Sequence, residues 1–391
     1  MREGHIYRVD EQTDTLTEDQ VLRHWQQFES SDRKEIQQFV TEKVFEKIKL
    51  DDIPKDATVV DCTWVRKFKR MPNGELAPKS RLCARGFLDT RSTTATRLSQ
   101  RLVVSVAATH LFDLASWDVS GAFMKGLSFR QVQEALRRKG IPSPRRIVVI
   151  VPPPNVWRHL GEISPEFWIP EDQYHLHGLI CLKPTYGLSD APLAWQLCLH
   201  EELAASGGHQ SSLDENMWIF KHPDGAIEGV ITTHVDDLAV CANRTFLNKQ
   251  HKILSDRFGR ITQQEPPFNH CGCRYTQLPN KGGYKIDQEE FTAALKTIEI
   301  SNTKDPNRLL EPGEVTKLRS ILGGSLWLTS TRLDLVSDVG VIQSRITKAT
   351  VANFMLANSI VKKSKDAAVQ GHWNYLQTLP QGHQVEAGGG P

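Results

Sequence analysis

Two apolar, β-rich runs, Ala226–Val235 and Leu238–Ala242, are separated by Asp236-Asp237 alone. Runs of that kind joined so tightly predict an antiparallel hairpin with two acidic side chains at its tip. Adjacent charges at the end of an apolar hairpin are costly unless solvent, a cation or a metal meets them. Two readings stay open on this feature. Aspartate is a common turn residue for local hydrogen-bonding reasons alone. Equally, an apolar hairpin that delivers carboxylates to a fixed place suits a divalent cation. A second acidic pair, Asp51-Asp52, lies close to Pro54 among other charges and reads as a surface turn.

A third carboxylate gives the pair its weight. Asp118 stands near the end of a short apolar strand, Leu114 to Val119, and precedes the small-residue turn Ser120-Gly121-Ala122 and then Phe123. Taken singly it is an ordinary strand-end residue. Nucleotidyl transfer with two Mg²⁺ ions roughly 3.5–4 Å apart, however, needs carboxylates from separate elements brought to one point. Gly121 has no side chain to keep phosphate oxygens from the backbone N–H groups of the turn.

At 391 residues the chain is long enough for two or three packed subdomains. It has no run of eighteen apolar residues and no apolar leader, so neither a membrane span nor a secretory signal is expected. Seven scattered cysteines fit reduced thiols in an intracellular protein. A formal charge of +2 argues against a purely electrostatic nucleic-acid binder. The basic residues are clustered all the same: Arg66, Lys67, Lys69, Arg70, Lys79, Arg81 and Arg85 form one strip, and Arg137, Arg138, Lys139, Arg145 and Arg146 another. Such strips read either as solvated faces or as places where phosphates are handled.

Periodicity predicts an α+β chain with a helical C-terminal part. Ile36, Val40, Val44 and Ile48, four apart, predict a helix over 32–49. Strands are expected at Thr58–Val60, Thr63–Arg70 and Arg81–Phe87, with Met71-Pro-Asn-Gly74 as the turn. A helix over 98–110 follows. Residues 127–178 read as largely irregular, with strands at Ile147–Val151 and Gly178–Leu182. A helix begins at Ser189-Asp-Ala-Pro192 and stops at Gly207-Gly208. Val315–Thr329 and Ala349–Lys363 are helices, and the tail ending in Gly388-Gly-Gly-Pro391 is expected to be disordered.

In order along the chain, a further set of motifs resembles the reverse transcriptases of copia-type retrotransposons. Trp64-Val-Arg-Lys-Phe-Lys-Arg70 with Asn73-Gly74 and Lys79-Ser-Arg-Leu-Cys-Ala-Arg-Gly-Phe87 is similar to the family's fingers hairpin. Trp117-Asp118-Val119-Ser-Gly-Ala122-Phe123 resembles its first catalytic motif, and Val151-Pro-Pro153 the proline pair that follows. Tyr186-Gly187-Leu188-Ser-Asp-Ala191-Pro192-Leu-Ala-Trp195 resembles Tyr-Gly-Leu-x-x-Ala-Pro-x-x-Trp. His234-Val235-Asp236-Asp237 stands where Tyr-Val-Asp-Asp is usual, and Leu322–Leu328 with Thr331-Arg332-Leu-Asp334 is similar to a helix of the C-terminal portion. His234 and Ser189-Asp190 depart from the family pattern. The resemblance fades beyond about residue 345 without an acidic RNase H cluster, so a polyprotein fragment, a gene-model piece or a decaying copy is expected.

The resemblance implies a right-hand polymerase: an N-terminal lead-in over 1–44, fingers and palm over 45–280, a helical thumb- or connection-like region over 281–365, and a tail over 366–391. It implies an RNA-directed DNA polymerase acting on an RNA or DNA template with its primer and a dNTP. Asp118, Asp236, Asp237 and the Val119 carbonyl would hold two Mg²⁺ ions. Lys79 and Arg81 would reach the triphosphate, Phe123 would stack under the deoxyribose, and Gly187 and Leu188 would border the incoming nucleotide and template. His270-Cys-Gly-Cys-Arg274 falls where the family has a hairpin that positions the primer end. The alternative is a non-catalytic nucleic-acid-binding remnant.

The remaining constellations read as structural. His270, Cys271 and Cys273 lack a second Cys/His pair of zinc-site spacing. Cys62, Cys83, Cys181, Cys198 and Cys241 sit in apolar runs as core thiols, and Trp195 as a core ring. His175 and His177 are expected at the surface. Trp157 and Trp168 are either packing or base-stacking residues.

Overall fold

The computed structural model describes residue 16 and residues 18–70, 75–85, 93–279, 283–366 and 373–376. The expected turn at Met71–Gly74, the end of the returning strand at Gly86 and Phe87, the first fifteen residues and the Gly388–Pro391 end lie outside them. Among the described residues three β-sheets and a helical C-terminal region form, so the α+β class holds. No helix among them is long and apolar enough to cross a membrane.

A five-stranded sheet runs in the order β1-β6-β5-β2-β3, built from β1 (Phe45–Lys49), β2 (Thr58–Arg70), β3 (Leu76–Ala84), β5 (Val148–Val151) and β6 (His177–Cys181). After the short α1 (Glu18–Arg23), α2 (Trp25–Thr41) packs on it together with α6 (Pro154–Ile163). Ile36, Phe39, Phe45, Val148, Ile150, Trp157 and Leu179 share that core. The helix expected over 32–49 is therefore two elements. Lys43 takes a left-handed backbone (φ 50°) that ends α2, and Phe45–Lys49 pairs antiparallel with β6. A spacing of four is even, so the same apolar residues also satisfy the two-residue period of a strand. Likewise the two strands expected at 58–60 and 63–70 are one. β2 changes partner in its middle, pairing with β5 through Asp61 and with β3 from Cys62 onward.

A six-stranded sheet, in the order β11-β4-β10-β9-β8-β7, is made of β4 (Asp113–Val119), β7 (His209–Gln210), β8 (Met217–Lys221), β9 (Ile227–His234), β10 (Asp237–Ala242) and β11 (Ile261–Gln264). One face is covered by α5 (Phe129–Arg138), α7 (Ala191–Ala205) and α8 (Arg244–Phe258), with Trp117, Val119, Trp195, Leu238, Val240 and Phe258 in the core. The other face meets α3 (Arg97–His110) and a third sheet of β12 (Phe268–His270), β13 (Cys273–Gln277), β14 (Gly283–Asp287) and β15 (Trp373–Leu376). β15 falls in the stretch expected to be a disordered tail. It pairs with β14 over Gly283–Ile286, which covers an edge otherwise left with unpaired backbone groups. After the short α9 (Glu289–Ala294), α10 (Pro312–Leu328), α11 (Val336–Ser344) and α12 (Val351–Ser364) enclose a fourth core around Leu318, Ile321, Phe354 and Ile360.

Residues 127–178 are more regular than their composition suggests. Ser128 and Gln131 form a reciprocal capping box that starts α5, and Pro154 opens α6 at its first turn, where a missing N–H costs nothing. His177, expected at the surface, is buried at the start of β6 and donates through Nδ1 to the Gln173 carbonyl at 3.0 Å. Trp157 and Trp195 are core residues, whereas Trp168 is exposed. Cys83 is half-buried, and Cys62, Cys181, Cys198 and Cys241 are buried.

The β2–β3 hairpin has two chemically distinct faces. On one, Arg66 donates to the Asp32 carboxylate of α2 at 3.0 and 2.5 Å and stacks over Trp64, 4.9 Å from the ring centroid. Asp32 has no exposed surface, and 14% of the Arg66 side chain is accessible. Removing one partner of so enclosed a pair strands the other charge. Asp32→Asn should therefore cost about 3 kcal/mol of stability, read as a lowered urea midpoint. An unchanged midpoint would show that the tryptophan stacking alone suffices to hold Arg66.

Candidate active site

The register of the six-stranded sheet sets the site. Asp237 pairs directly with Asp118 on one side and with His234 on the other, and Thr262 pairs with Asp118. Directly paired residues point to the same face with Cβ atoms about 5 Å apart. Thr262, Asp118, Asp237 and His234 thus form one row across four strands. In the next row on the same face, the Ser116 hydroxyl lies 3.3 Å from His270 Nδ1. The third sheet therefore begins to cover this face one row away from the carboxylates and leaves Asp118 and Asp237 half-buried.

Asp236 occupies the two-residue turn between β9 and β10. Val235, the other turn residue, has a left-handed backbone (φ 59°), an outlier for a β-branched side chain that costs roughly 1–3 kcal/mol. Two bonds from outside hold this turn. Trp195 Nε1–H donates to the Val235 carbonyl at 2.6 Å, and the Val119 N–H donates to the Asp236 carbonyl at 3.1 Å. Sequence reasoning placed Trp195 in the core and had no signal for its bond to the turn.

The carboxylates crowd one another. Burial, followed by the charges of Asp236 and Asp118, raises the Asp237 carboxyl from 3.8 to about 6, and Lys69 opposes the shift. That lysine belongs to the second face of the β2–β3 hairpin, where alternation puts Lys67, Lys69, Lys79 and Arg81 together. Burial and then Arg81 and Lys69 lower the Lys79 ammonium, while Asp118 favours its charged form. Arg81 lies 4.9 Å over the Tyr186 ring, and the half-buried Phe123 of α4 (Ala122–Lys125) lies 5.2 Å from the same ring. From the sequence Lys69 stood only in the basic strip and Tyr186 only in the Tyr-Gly-Leu motif, and neither had a role in the site. The alternation Val65, Lys67, Lys69 was the signal for the first.

Two glycines bring backbone close to this cleft. Gly121 is left-handed (φ 68°), and a Cβ there would fall 1.7 Å from the Gln38 amide. Gly187 (φ 85°) lies against Ala84, whose carbonyl oxygen would be 1.9 Å from a Cβ. The Ala84 N–H donates to the Tyr186 carbonyl at 2.8 Å. Leu188 is 3% exposed, whereas Gly187 beside it is exposed. Asp190, one of the departures from the motif, pairs with Arg146, which takes that arginine out of the second basic cluster. Among the described residues the buried Nδ1 of His234 has no hydrogen-bond partner, and burial lowers its pKa against the pull of Asp236. Cys271 and Gly272 (φ 48° and 73°) make the turn between β12 and β13, and Asp237 and Asp236 add to the burial that pushes the Cys271 thiol up to about 12. The turn expected to serve the primer end therefore lies within electrostatic reach of the aspartates.

Among the described residues no group of three or more His, Cys, Asp or Glu side chains is placed so that it could hold a metal ion as it stands. The donor chemistry nonetheless fits a hard divalent cation. Asp118, Asp236 and Asp237 offer oxygens alone, and their mutual repulsion is what a cation relieves.

The chain is similar to two curated proteins of Arabidopsis thaliana. It is 25% identical over 308 residues to the retrovirus-related Pol polyprotein from transposon RE2, and 23% identical over 307 residues to that from transposon RE1. Each match covers 72% of this chain but only 19% and 18% of the relative, so the chain spans about a fifth of their length. No family model matches the chain. Among solved structures, the foamy viral protease-reverse transcriptase in complex with double-stranded DNA aligns with a TM-score of 0.41 at 12% identity, covering 84% of this chain and 46% of that one.

The raised Asp237 pKa makes a prediction with a definite sign. The unfolded chain loses this proton near pH 4, whereas the folded one holds it to about pH 6. Stability of the metal-free protein therefore falls as pH rises through this window and then stays low. Asp237→Asn removes the penalty. In EDTA at pH 8 it should stabilise the fold by on the order of 1–2 kcal/mol, allowing for screening, and at pH 4 it should change nothing. Urea midpoints at the two pH values check this, and an equal effect at both would remove charge crowding as the cause.

Proposed function

We propose that this chain is the polymerising core of a retrotransposon-type reverse transcriptase, which extends a primer 3′ end by one dNMP at a time against an RNA or DNA template. In this reading the five-stranded sheet serves as fingers, the six-stranded sheet as palm, and the C-terminal helices as a thumb- or connection-like part. The observation that carries it is the row formed by Asp118 and Asp237, with Asp236 in the adjoining turn and a lysine-rich strand pair within electrostatic reach. The similarity to retrotransposon Pol polyproteins points the same way.

Asp118, Asp236, Asp237 and the Val119 carbonyl are assigned to two Mg²⁺ ions. When bound, these ions would supply charge neutralisation of the triphosphate and a more acidic primer hydroxyl. Lys79 and Arg81, with Lys69 beside them, are assigned to triphosphate oxygens. Such an anion supplies the counter-charge that their basic neighbours withhold. In the turn after Asp118 the Ser120 N–H donates to the Arg260 carbonyl and the Gln38 amide lies against left-handed Gly121, so the role of this turn is to place Asp118 and Phe123 and not to offer an open phosphate cradle. Phe123 and Tyr186 are assigned to the aromatic wall for the sugar, with exposed Gly187 beside it and Leu188 buried behind.

Primer extension on primed poly(rA) with dTTP and Mg²⁺ tests the assignment. Asp118→Asn and Asp236→Asn should abolish extension with the fold intact, and Asp51→Asn, in an exposed turn, should leave the rate unchanged. Near-normal rates in both site variants would remove these residues from the chemistry. A wild-type protein that binds primed template without extending it would instead be a nucleic-acid-binding remnant.

Phe123 allows a sharper test. Its ring is only half-buried and packs against both neighbouring cores. A ring against C2′ of the sugar leaves no room for a hydroxyl, and overpacking of that kind costs about 1–3 kcal/mol, or roughly tenfold to a few hundredfold in rate. Phe123→Val should lower the ratio of kcat/KM for dTTP over UTP by that order. An unchanged ratio with lower activity for both sugars would make Phe123 a packing residue.

A further inference from the structure

Trp195 is fully buried on α7, and its indole stands edge-on to Phe258 with ring centroids 4.9 Å apart. Packing accounts for the ring but not for the direction of its N–H, which meets the Val235 carbonyl at 2.6 Å. Val235 is the turn residue with φ 59°, at a place in two-residue hairpins where glycine is the usual choice. A valine there is driven toward negative φ, and that rotation would carry Asp236 with it. It would also break the bond from Val119 to the Asp236 carbonyl, which ties the turn to the strand of Asp118. Besides the ladder of the hairpin itself, that relaxation is opposed from outside by the Val119 N–H on the strand of Asp118 and by the indole on the neighbouring helix, which alone holds the carbonyl of the strained residue.

We infer that Trp195 is a positioning residue: its indole N–H pins the Val235 carbonyl and so holds Asp236 and Asp237 in register with Asp118. The consequence for catalysis rests on the polymerase reading, but the hold on the turn does not.

Trp195→Phe keeps an aromatic ring against Phe258 and removes the N–H. Backbone amide exchange over residues 234–238 should quicken by about tenfold, the loss of one hydrogen bond, with α7 and α8 unchanged. In primer extension kcat should fall by about the same factor while KM for dTTP stays near wild type. Val235→Gly removes the conformational strain, so adding it to Trp195→Phe should restore slow exchange in the turn and kcat to the level of Val235→Gly alone. Where the smaller ring unfolds the core, 3-benzothienylalanine at position 195 keeps the bicyclic volume and lacks only the N–H. Unchanged turn exchange in the variants without the N–H would overturn the inference. So would a loss that spreads through α7 and is not rescued by glycine at 235, since that is packing. A wild-type protein that does not extend primers would sink the polymerase reading, while the exchange measurement would still decide the role of Trp195.

Discussion

Like charges set directly opposite one another on adjoining strands repel, and Asp118 and Asp237 occupy such a position. A fold tolerates this only if the strands cannot slip, because a shift of one residue would turn Asp237 into the apolar core and Leu238 out of it. The register is held from both faces. Trp117, Val119, Leu238 and Val240 are locked against α7 and α8, and Leu114, Ala239 and Cys241 against α3 and the third sheet. The packing energy of those two cores offsets the local electrostatic cost and leaves a concentrated negative site where the second cover ends.

That arrangement has a positive counterpart built from alternation. In β2 and β3 alternate residues lie on the face turned to the aspartates, among them Lys67, Lys69, Lys79 and Arg81; the residues between them face α2. Much of the remaining basic sequence is engaged internally. Arg66 is bound to Asp32 and Arg146 to Asp190, and at the surface Arg138 pairs with Glu201. The near-neutral net charge therefore does not measure what the cleft offers an anion. Lysines and arginines placed by strand period on the inner face contribute there.

The hairpin that carries Asp236 and Asp237 was legible because long apolar runs with a short break leave few alternatives, but its turn is Val235-Asp236 and Asp237 already belongs to β10, one residue off the expected tip; α3, α7, α10 and α12 were legible through caps and apolar stripes. The split of residues 25–49 into helix and strand was not, since Val44 and Ile48 satisfy both periods. Nor were α5 and α6, where prolines and charges mask a capping box and a proline-led first turn. The site residues were named through motif resemblance, and the register that makes neighbours of Asp118 and Asp237 is a tertiary fact. Their separation in sequence is far beyond any local pattern. Roles that depend on one long-range bond, such as that of Trp195 to Val235, left no trace in spacing or composition.

The N-terminal helix shows how such tertiary facts tie the periphery to the chemistry. Asp32, Glu35, Gln38 and Glu42 fall three or four apart and so share one stripe of α2. Their contacts run down the cleft in the same order. Asp32 binds Arg66, Glu35 accepts the Leu82 N–H at 3.4 Å, Gln38 lies against Gly121, and Glu42 pairs with Lys125 at 2.7 Å. The first two fix the basic hairpin, and the last two fix the turn and short helix that follow Asp118. Burial raises the Glu35 carboxyl to about 7, a cost accepted in the middle of the stripe with Arg81 and Lys79 opposing the shift. One helix outside both sheets thus sets the spacing between the positive and negative walls of the site. Within this structure the segment that precedes the strands is part of the frame that holds the carboxylates and lysines in mutual reach.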